Sequence, residues 1–440
     1  MAGRRKFGAK NVTGWKATVA IAMANYIEAG SIIAAASSLT LWQAYLGLDS
    51  FAVGLLGAVS ANALGAAIGA LIGGPITDKY GRAMVFKYDL LVYMIGILLM
   101  ALSVNFPMLL IGTIITGVAV GAGVPVSWTF IAEESPENKR AAHVGTAQLA
   151  WSIGPMITFF LAVVVAPLGL LGSRLIFLHL FIIAFVTWYI RQGMSESKIW
   201  EKEKEEEQKN LMLGKEKRNS VKELFTLAVN RKALFLLVGI YLFWNLVSGA
   251  MGYFMPYIYE NVGGLSNSQA NLLQGFLWLF TVLGTFFGFM KFGDKFSRRF
   301  IFGLGAVMGI VAWVILTFMP MTWTSLILFV VIWGTAAGIG AQAFYALWTS
   351  ELFPTRYRAS AQGLMYFIVR TGIAIWSLVL PTLMATLGFK TAGIVMIIFL
   401  VIHAVIGIVL APATQGKTLE QIERERYGET DSLNGQTVER

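Results

Sequence analysis

Gly74-Pro75-Ile76-Thr77-Asp78-Lys79-Tyr80-Gly81-Arg82 is a polar loop set between long apolar stretches, and its core returns 216 positions later as Asp294-Lys295-Phe296-Ser297-Arg298. A second motif keeps step with it: Glu133, Pro136 and Arg140 return as Glu351, Pro354 and Arg358, 218 positions on. Two separate motifs that share one period define a chain of two similar halves.

What lies between the loops fixes the fold class. Of 440 residues, 57% are hydrophobic and only 13% are Asp, Glu, Lys or Arg, about half the roughly 25% charge of an average globular domain. Such a chain cannot cover a water-facing surface. Apolar stretches recur that are long enough to cross a hydrocarbon core of roughly 30 Å at about 1.5 Å per residue. Twelve spans are expected, at 17–42, 51–76, 84–104, 107–132, 143–168, 172–191, 233–258, 268–292, 300–320, 323–350, 359–386 and 389–411. Runs such as Leu99 to Val120 lack the in/out alternation of a barrel strand, and a helix satisfies its own backbone in lipid. The expected class is an all-α membrane protein of twelve helices in two pseudo-symmetric six-helix bundles. There are no cysteines, which removes disulfides, thiolate metal sites and cysteine nucleophiles. The first apolar stretch follows Arg4, Arg5, Lys6 and Lys10, but its full span length and Glu28 identify it as a helix rather than a cleaved signal.

The net charge of +10 is a matter of topology. Every lysine and arginine falls on one side of the twelve spans except Arg174 and Lys390 on the other and Arg370 within a span. The positive-inside rule then places both termini in the cytoplasm of a multi-pass protein of the cell (inner) membrane. No basic patch interleaved with aromatics calls for nucleic acid. Asn11-Val12-Thr13 matches a glycosylation triplet but lies on the cytoplasmic side. Residues 192–232 are the one long polar insertion, whose Glu201 to Glu207 run suits short solvated helices. They divide an N-terminal bundle, 1–191, from a C-terminal bundle, 233–411, with a cytoplasmic tail at 412–440. Parallel six-helix repeats are a transporter design, with the solute site near mid-membrane where the repeats meet.

The loop from Gly74 to Arg82 resembles the signature loop of the major facilitator superfamily, departing from it at Ala83, where a basic residue is usual. The second copy has Met290 in place of the first glycine. Further stretches resemble the sugar porter family: Ala132-Glu133-Glu134-Ser135-Pro136 to Arg140, Ser350-Glu351-Leu352-Phe353-Pro354 to Arg358, Glu196-Ser197-Lys198 with Trp200, and Pro412-Ala413-Thr414-Gln415-Gly416-Lys417-Thr418-Leu419-Glu420. The resemblance implies a salt-bridge network closing an inside gate, carried by Asp78, Arg82, Glu133, Arg140, Asp294, Arg298, Glu351 and Arg358.

Polar residues inside spans speak to substrate. A carboxylate at bilayer depth costs about 2.5–3.5 kcal/mol on insertion scales, so Glu28 in span 1 is expected to face a central cavity. Burial weakens the preference of a carboxyl for its charged form, which suits a group that loads and releases a proton. Proton-coupled sugar porters carry a carboxylate in this part of helix 1, where Tyr26-Ile27-Glu28 stands here. The same family places an arginine early in helix 4, but Thr113-Ile114-Ile115-Thr116-Gly117 has no basic residue, which leaves Arg370 in span 11. A guanidinium keeps its proton and needs an anion or water. Arg370 can pair with Glu28, bind a substrate carboxylate, or pack toward a hydrated gate.

Neutral hydrogen-bonding and aromatic residues also fall within spans, and Gln148, Trp151, Trp244, Asn245, Asn271, Gln274, Gln342, Tyr345 and Trp376 are candidate solute contacts. Amides bond hydroxyls while indoles cover the apolar face of a ring. Trp278 and Tyr366 belong to the same set. By the repeat, Glu28 maps onto Asn245 and Arg370 onto Ser152. His143, His179 and His403 show no metal-ligand spacing. The expectation is a secondary active transporter, a proton-coupled symporter of a monosaccharide or cyclic polyol such as inositol, working as a monomer. Its rivals are a symporter of an organic anion such as a sugar acid, an uncoupled sugar facilitator, and a transporter-fold sensor. No nucleophile, metal cluster or cofactor loop marks an enzyme.

Overall fold

The computed structural model describes residues 14–48, 50–135, 140–194, 196–213, 224–293, 295–354 and 358–428. Among them, twelve helical stretches are long and apolar enough to cross a bilayer. They are Gly14–Leu39 (span 1), Leu55–Tyr80 (span 2), Arg82–Ala101 (span 3), Phe106–Trp128 (span 4), Ala142–Leu168 (span 5) and Leu170–Arg191 (span 6). The second six are Ala228–Pro256 (span 7), Ser268–Met290 (span 8), Arg298–Phe318 (span 9), Trp323–Leu352 (span 10), Arg358–Leu380 (span 11) and Thr386–Leu410 (span 12). The chain is an all-α, multi-pass membrane protein. Span ends differ from the sequence reading by a few residues, and side-chain caps set some of them. Asn105, for example, accepts from Met108 N at 2.9 Å and starts span 4.

The two halves pack alike. Spans 1 and 5 pair in the first, and spans 7 and 11 in the second, where Gly249 faces Ile373. Span 2 lies on span 4, and span 8 on span 10. The close approach of spans 2 and 4 is written in small residues: a Cβ on Gly65 would stand 3.0 Å from Gly117 Cα, and one on Gly73 2.7 Å from Ala122 Cα. Without water to drive apolar faces together, such contacts are what holds helices in lipid. Between the halves, span 2 packs on span 11 and span 5 on span 8. Here a Cβ on Gly74 would fall 2.7 Å from Ala359 O, so the two helix backbones nearly touch.

Several spans are interrupted where the sequence predicts continuous helix. Span 2 stops at Val59 and resumes at Leu64, span 10 breaks at Gly340, and span 8 ends in a π-helical turn at Gly284–Met290. Interruptions at bilayer depth need protein partners for the freed backbone groups. Thr285 Oγ1, inside the π turn, donates to Thr281 O at 2.9 Å and to Gly338 O at 3.2 Å.

The polar insertion carries the helix Lys198–Met212, with Lys204 and Glu207 paired at 2.7 Å. Its first turn is tied to the end of span 2 through Trp200 Nε1, which donates to Asp78 O at 3.1 Å. The tail folds into a short helix, Leu419–Tyr427, whose Tyr427 hydroxyl donates to Asn230 Oδ1 at 2.5 Å at the foot of span 7.

Candidate functional site

Glu28 and Arg370 come together at the centre of the molecule. Both are buried, and Arg370 Nη2 pairs with Glu28 Oε1. The Tyr366 hydroxyl, one helical turn before Arg370, donates to the same carboxylate oxygen, and Arg370 Nη2 reaches that hydroxyl at 2.5 Å. The second oxygen, Oε2, accepts from Trp151 Nε1 at 3.1 Å. Arg370 Nη1 turns away toward span 2 and donates to Asn62 Oδ1 at 2.8 Å and Asn62 O at 3.2 Å. Spans 1, 2, 5 and 11 are thereby joined by one charged cluster, and the cation of one half is held by the carboxylate of the other. Of the three roles open to Arg370 in the sequence, its placement matches the first, a pair with Glu28. An ion pair this deep needs hydrogen bonds at its remaining positions; Tyr366, Trp151 and Asn62 supply them, while Arg370 Nε is buried without one.

The counterparts under the repeat behave differently. Asn245 Nδ2 donates to Tyr241 O, and Ser152 Oγ donates to Gln148 O, at 2.9 and 3.0 Å. Each spends its polar group on its own helix.

Beside the cluster lies a narrow cavity walled by spans 5, 7, 8 and 10. Gln148, Trp151, Trp244, Gln274 and Gln342 from the sequence-derived set line it, as does Trp278. Ser248, Met251, Phe329 and Trp333 line it too, without having been singled out in the sequence. Trp151 meets Trp278 edge-on at 5.1 Å, and Trp244 stacks on Trp333 at 4.9 Å. Gln148 Nε2 donates to Ser152 Oγ at 3.4 Å, while its Oε1 is buried without a partner. No charged side chain lines the cavity among the described residues. Its walls combine amides and indoles with the hydroxyls of Ser248 and Thr281 and apolar side chains.

Four of the sequence-derived contacts sit elsewhere. Tyr345 stacks flat on Tyr241 at 3.8 Å, and Trp376 packs against Phe399 at 5.2 Å. Asn245 is occupied by its own helix, as above. Asn271, one turn before Gln274 on span 8, does not reach the cavity wall. In spans that are apolar on every face, spacing gives the rung of a side chain but not its direction.

The residues that the sequence assigns to a gate form a belt at the membrane face where both ends of the described chain lie. Glu133 Oε1 accepts from Arg82 Nη2 at 2.8 Å and from Arg358 Nη1 at 3.2 Å, bridging the halves. Asp78 Oδ2 accepts from Ser360 N and Oγ at 2.8 and 2.6 Å, a second crossing. Arg82 Nη1 lies 3.8 Å from Asp78 Oδ1. In the second copy Arg298 Nη1 meets Glu351 Oε2 at 2.6 Å and Thr414 Oγ1 at 2.7 Å, all within the C-terminal half. Asp294 and the side chain of Arg140 lie outside the described residues.

Two sets of contacts near the belt go beyond the sequence reading, which names Glu196 within a motif but gives it no partner. Glu196 caps the start of span 3, accepting from Arg82 N and Ala83 N at 2.9 Å each, where the exposed N–H groups of a helix favour an anion. Gly81, at φ 96°, lets the chain turn there, and a Cβ would run into the Glu196 carboxylate. Asp89 and Arg191 form a further buried pair at 3.3 Å, from which Arg191 Nε and Nη2 donate to Ala20 O and Ile21 O of span 1 at 3.0 and 2.8 Å. Arg191 closes span 6 and Asp89 lies two turns inside span 3, and the sequence reading singled out neither.

The likeness to known proteins extends over nearly the whole chain. A family profile described as "Sugar (and other) transporter" matches residues 34–425. The minor myo-inositol transporter IolF of Bacillus subtilis (strain 168) is 46% identical over 421 residues, 95% of each chain. The arabinose-proton symporter of the same organism is 26% identical over 415 residues, 86% of this chain and 87% of its own. Among solved structures, the proton:xylose symporter XylE bound to 6-bromo-6-deoxy-D-glucose superposes with a TM-score of 0.78 at 20% identity, covering 93% of this chain and 98% of that one. With the fold, the repeat and these matches in agreement, the chain belongs to the sugar transporter family of the major facilitator superfamily.

Proposed function

We propose that this protein is a proton-coupled symporter of a neutral monosaccharide or cyclic polyol, working by alternating access in the cell membrane with both termini in the cytoplasm. The observation that carries the reading is Trp151. Its ring lines the cavity while its Nε1 donates to Glu28, so one side chain touches both the solute space and the buried carboxylate. Glu28 takes the proton, and Arg370 balances it when charged. Gln148, Gln274 and Gln342 offer amides to hydroxyls, and the free Oε1 of Gln148 is an acceptor that a solute hydroxyl would satisfy. Trp244 and Trp278 cover the C–H face of the ring. The match to a myo-inositol transporter, 46% identical along 95% of each chain, supports a cyclic polyol as the first solute to try.

In the cycle, the bundles at 1–191 and 233–411 rock against each other about the cavity, linked by 192–232. The belt of Asp78, Arg82, Glu133 and Arg358 holds the cytoplasmic side shut in the state described. Its crossings must break for the solute to leave inward. All residues of the cavity and the cluster come from one chain, which supports a monomer as the working unit.

The test is uptake of labelled myo-inositol and glucose into proteoliposomes under an inward proton gradient. Gradient-driven accumulation should be abolished by Glu28→Gln, while exchange of solute across equal concentrations persists. Retained accumulation in that variant would sink the coupling role of Glu28. An organic-anion substrate is the weaker reading, because Arg370, the one cation nearby among the described residues, is already held by Glu28 and Asn62. Stronger competition by glucuronate than by inositol would reverse that order.

A further inference from the structure

Span 2 is interrupted where it passes the central cluster. Between Val59 and Leu64 the chain makes a turn, in which Ala63 N donates to Ser60 O at 3.0 Å, Asn62 N to Ser60 Oγ at 3.1 Å, and Ser60 Oγ to Gly57 O at 2.8 Å. The turn frees the Asn62 carbonyl from any helix and aims it, with Oδ1, at Arg370 Nη1. The remaining amide group, Nδ2, donates to Gly249 O on span 7 at 3.2 Å. One buried side chain of the first half is therefore bonded to two spans of the second. The proton and solute steps proposed above make no use of it.

We propose that Asn62 is a positioning residue for coupling: the break in span 2 is a second seat for the Arg370 guanidinium, which keeps the cation between the halves when Glu28 is protonated. The inference rests on the reading of Glu28 as the proton site. A guanidinium at this depth cannot shed its charge, so it must hold other acceptors once the carboxylate is neutral. The charged and titratable groups that face it are Glu28 from span 1, Tyr366 on its own span, Tyr241 from span 7 and Tyr345 from span 10. Trp151 of span 5 is neutral and touches the far carboxylate oxygen. The phenols offer one acceptor each, and Asn62 offers two. Protonation thus loosens the contact between the halves without releasing the cation into an apolar wall.

Asn62→Ala withdraws the amide acceptor, so Arg370 leans more on the carboxylate when Glu28 is charged and has poorer company when it is neutral. Both changes make Glu28 harder to protonate. Asn62→Asp installs a competing anion, draws Arg370 away and makes Glu28 easier to protonate.

The experiment is an infrared pH titration of the purified full-length protein in lipid, following the protonated carboxyl band that disappears in Glu28→Gln. The midpoint should move to lower pH in Asn62→Ala by roughly 0.5–1 unit, the size of one hydrogen bond, and to higher pH in Asn62→Asp. Asn62→Ser, which keeps one acceptor, should shift in the same sense as Asn62→Ala by less, and it serves if the alanine variant fails to fold. Midpoints unchanged, or moved in one common direction by Ala and Asp, would overturn the role of Asn62. If no band is lost in Glu28→Gln, the reading of Glu28 itself fails, and with it the basis of this one.

Discussion

Two buried ion clusters bridge the halves of this molecule, and they are built to opposite plans. In the belt each ion has several partners. Glu133 serves two arginines, Arg82 reaches two carboxylates, and Asp78 is held by both the backbone and the hydroxyl of Ser360. At the centre one carboxylate faces one guanidinium, and the rest of the shell is neutral: a phenol, an indole and an amide. A network survives the loss of one charge because neighbours can re-pair. A single pair does not. The belt is suited to hold a conformation, and the centre to register one proton.

The sharpest way to break the comparison is to remove the central cation. Arg370→Met should leave Glu28 buried without its partner, and breaking a buried pair on one side costs about 3–5 kcal/mol. Transport should fall below detection and the melting temperature in detergent should drop. Adding Glu28→Gln to the same protein should recover most of the melting temperature, since neither charge is then left alone, but not the proton-driven accumulation. If Arg370→Met destabilises no more than Arg358→Met does in the belt, the distinction between pair and network is lost.

Glu133→Gln probes the other plan and should cost less. Arg82 keeps Asp78 nearby, and Arg358 keeps its bond to Phe353 O at 3.0 Å. The change should therefore move the balance between conformations by an amount near the about 1.4 kcal/mol that equals a factor of ten, rather than unfold the protein. The chain has no cysteine, so a thiol introduced at Ala359, buried where span 11 meets span 2, reports alone. Maleimide labelling of Ala359→Cys should be about tenfold faster with Glu133→Gln than without it. Equal labelling rates would mean that the belt does not hold this face shut.

How much of each cluster could be read in advance follows from what makes a residue stand out. Glu28 and Arg370 interrupt apolar spans, and the cost of a charge there marks them without any structure. The belt was legible for another reason, because its motif occurs twice. Asn62 was not, since Ser60-Ala61-Asn62-Ala63 carries neither proline nor glycine to announce a break in a helix. Asp89 and Arg191 were not singled out, although Asp89 lies inside span 3. Gln148, Trp151, Gln274 and Gln342 reached the cavity as expected, whereas Tyr345 and Trp376 did not. Long apolar helices have no polar face from which the inward direction could be told.

Trp151 joins the central pair to the cavity, and Trp151→Phe isolates that link with the smallest change of the three. Phenylalanine keeps a ring against the solute but loses the N–H that bonds Glu28 Oε2 at 3.1 Å. A hydrogen bond to the charged form of a carboxyl favours that form, so its loss favours protonation. One such bond is worth about 1–2 kcal/mol, and the pH of half-maximal uptake should rise by up to about one unit while the KM for solute changes only a few-fold. The control is Trp278→Phe, because Trp278 lies in the same cavity against Trp151 at 5.1 Å. That variant should alter KM and leave the pH profile in place. If both tryptophans move the pH profile alike, the signal between solute and proton does not pass through the Trp151 indole, and the single pair at the centre must sense the solute through the movement of whole spans.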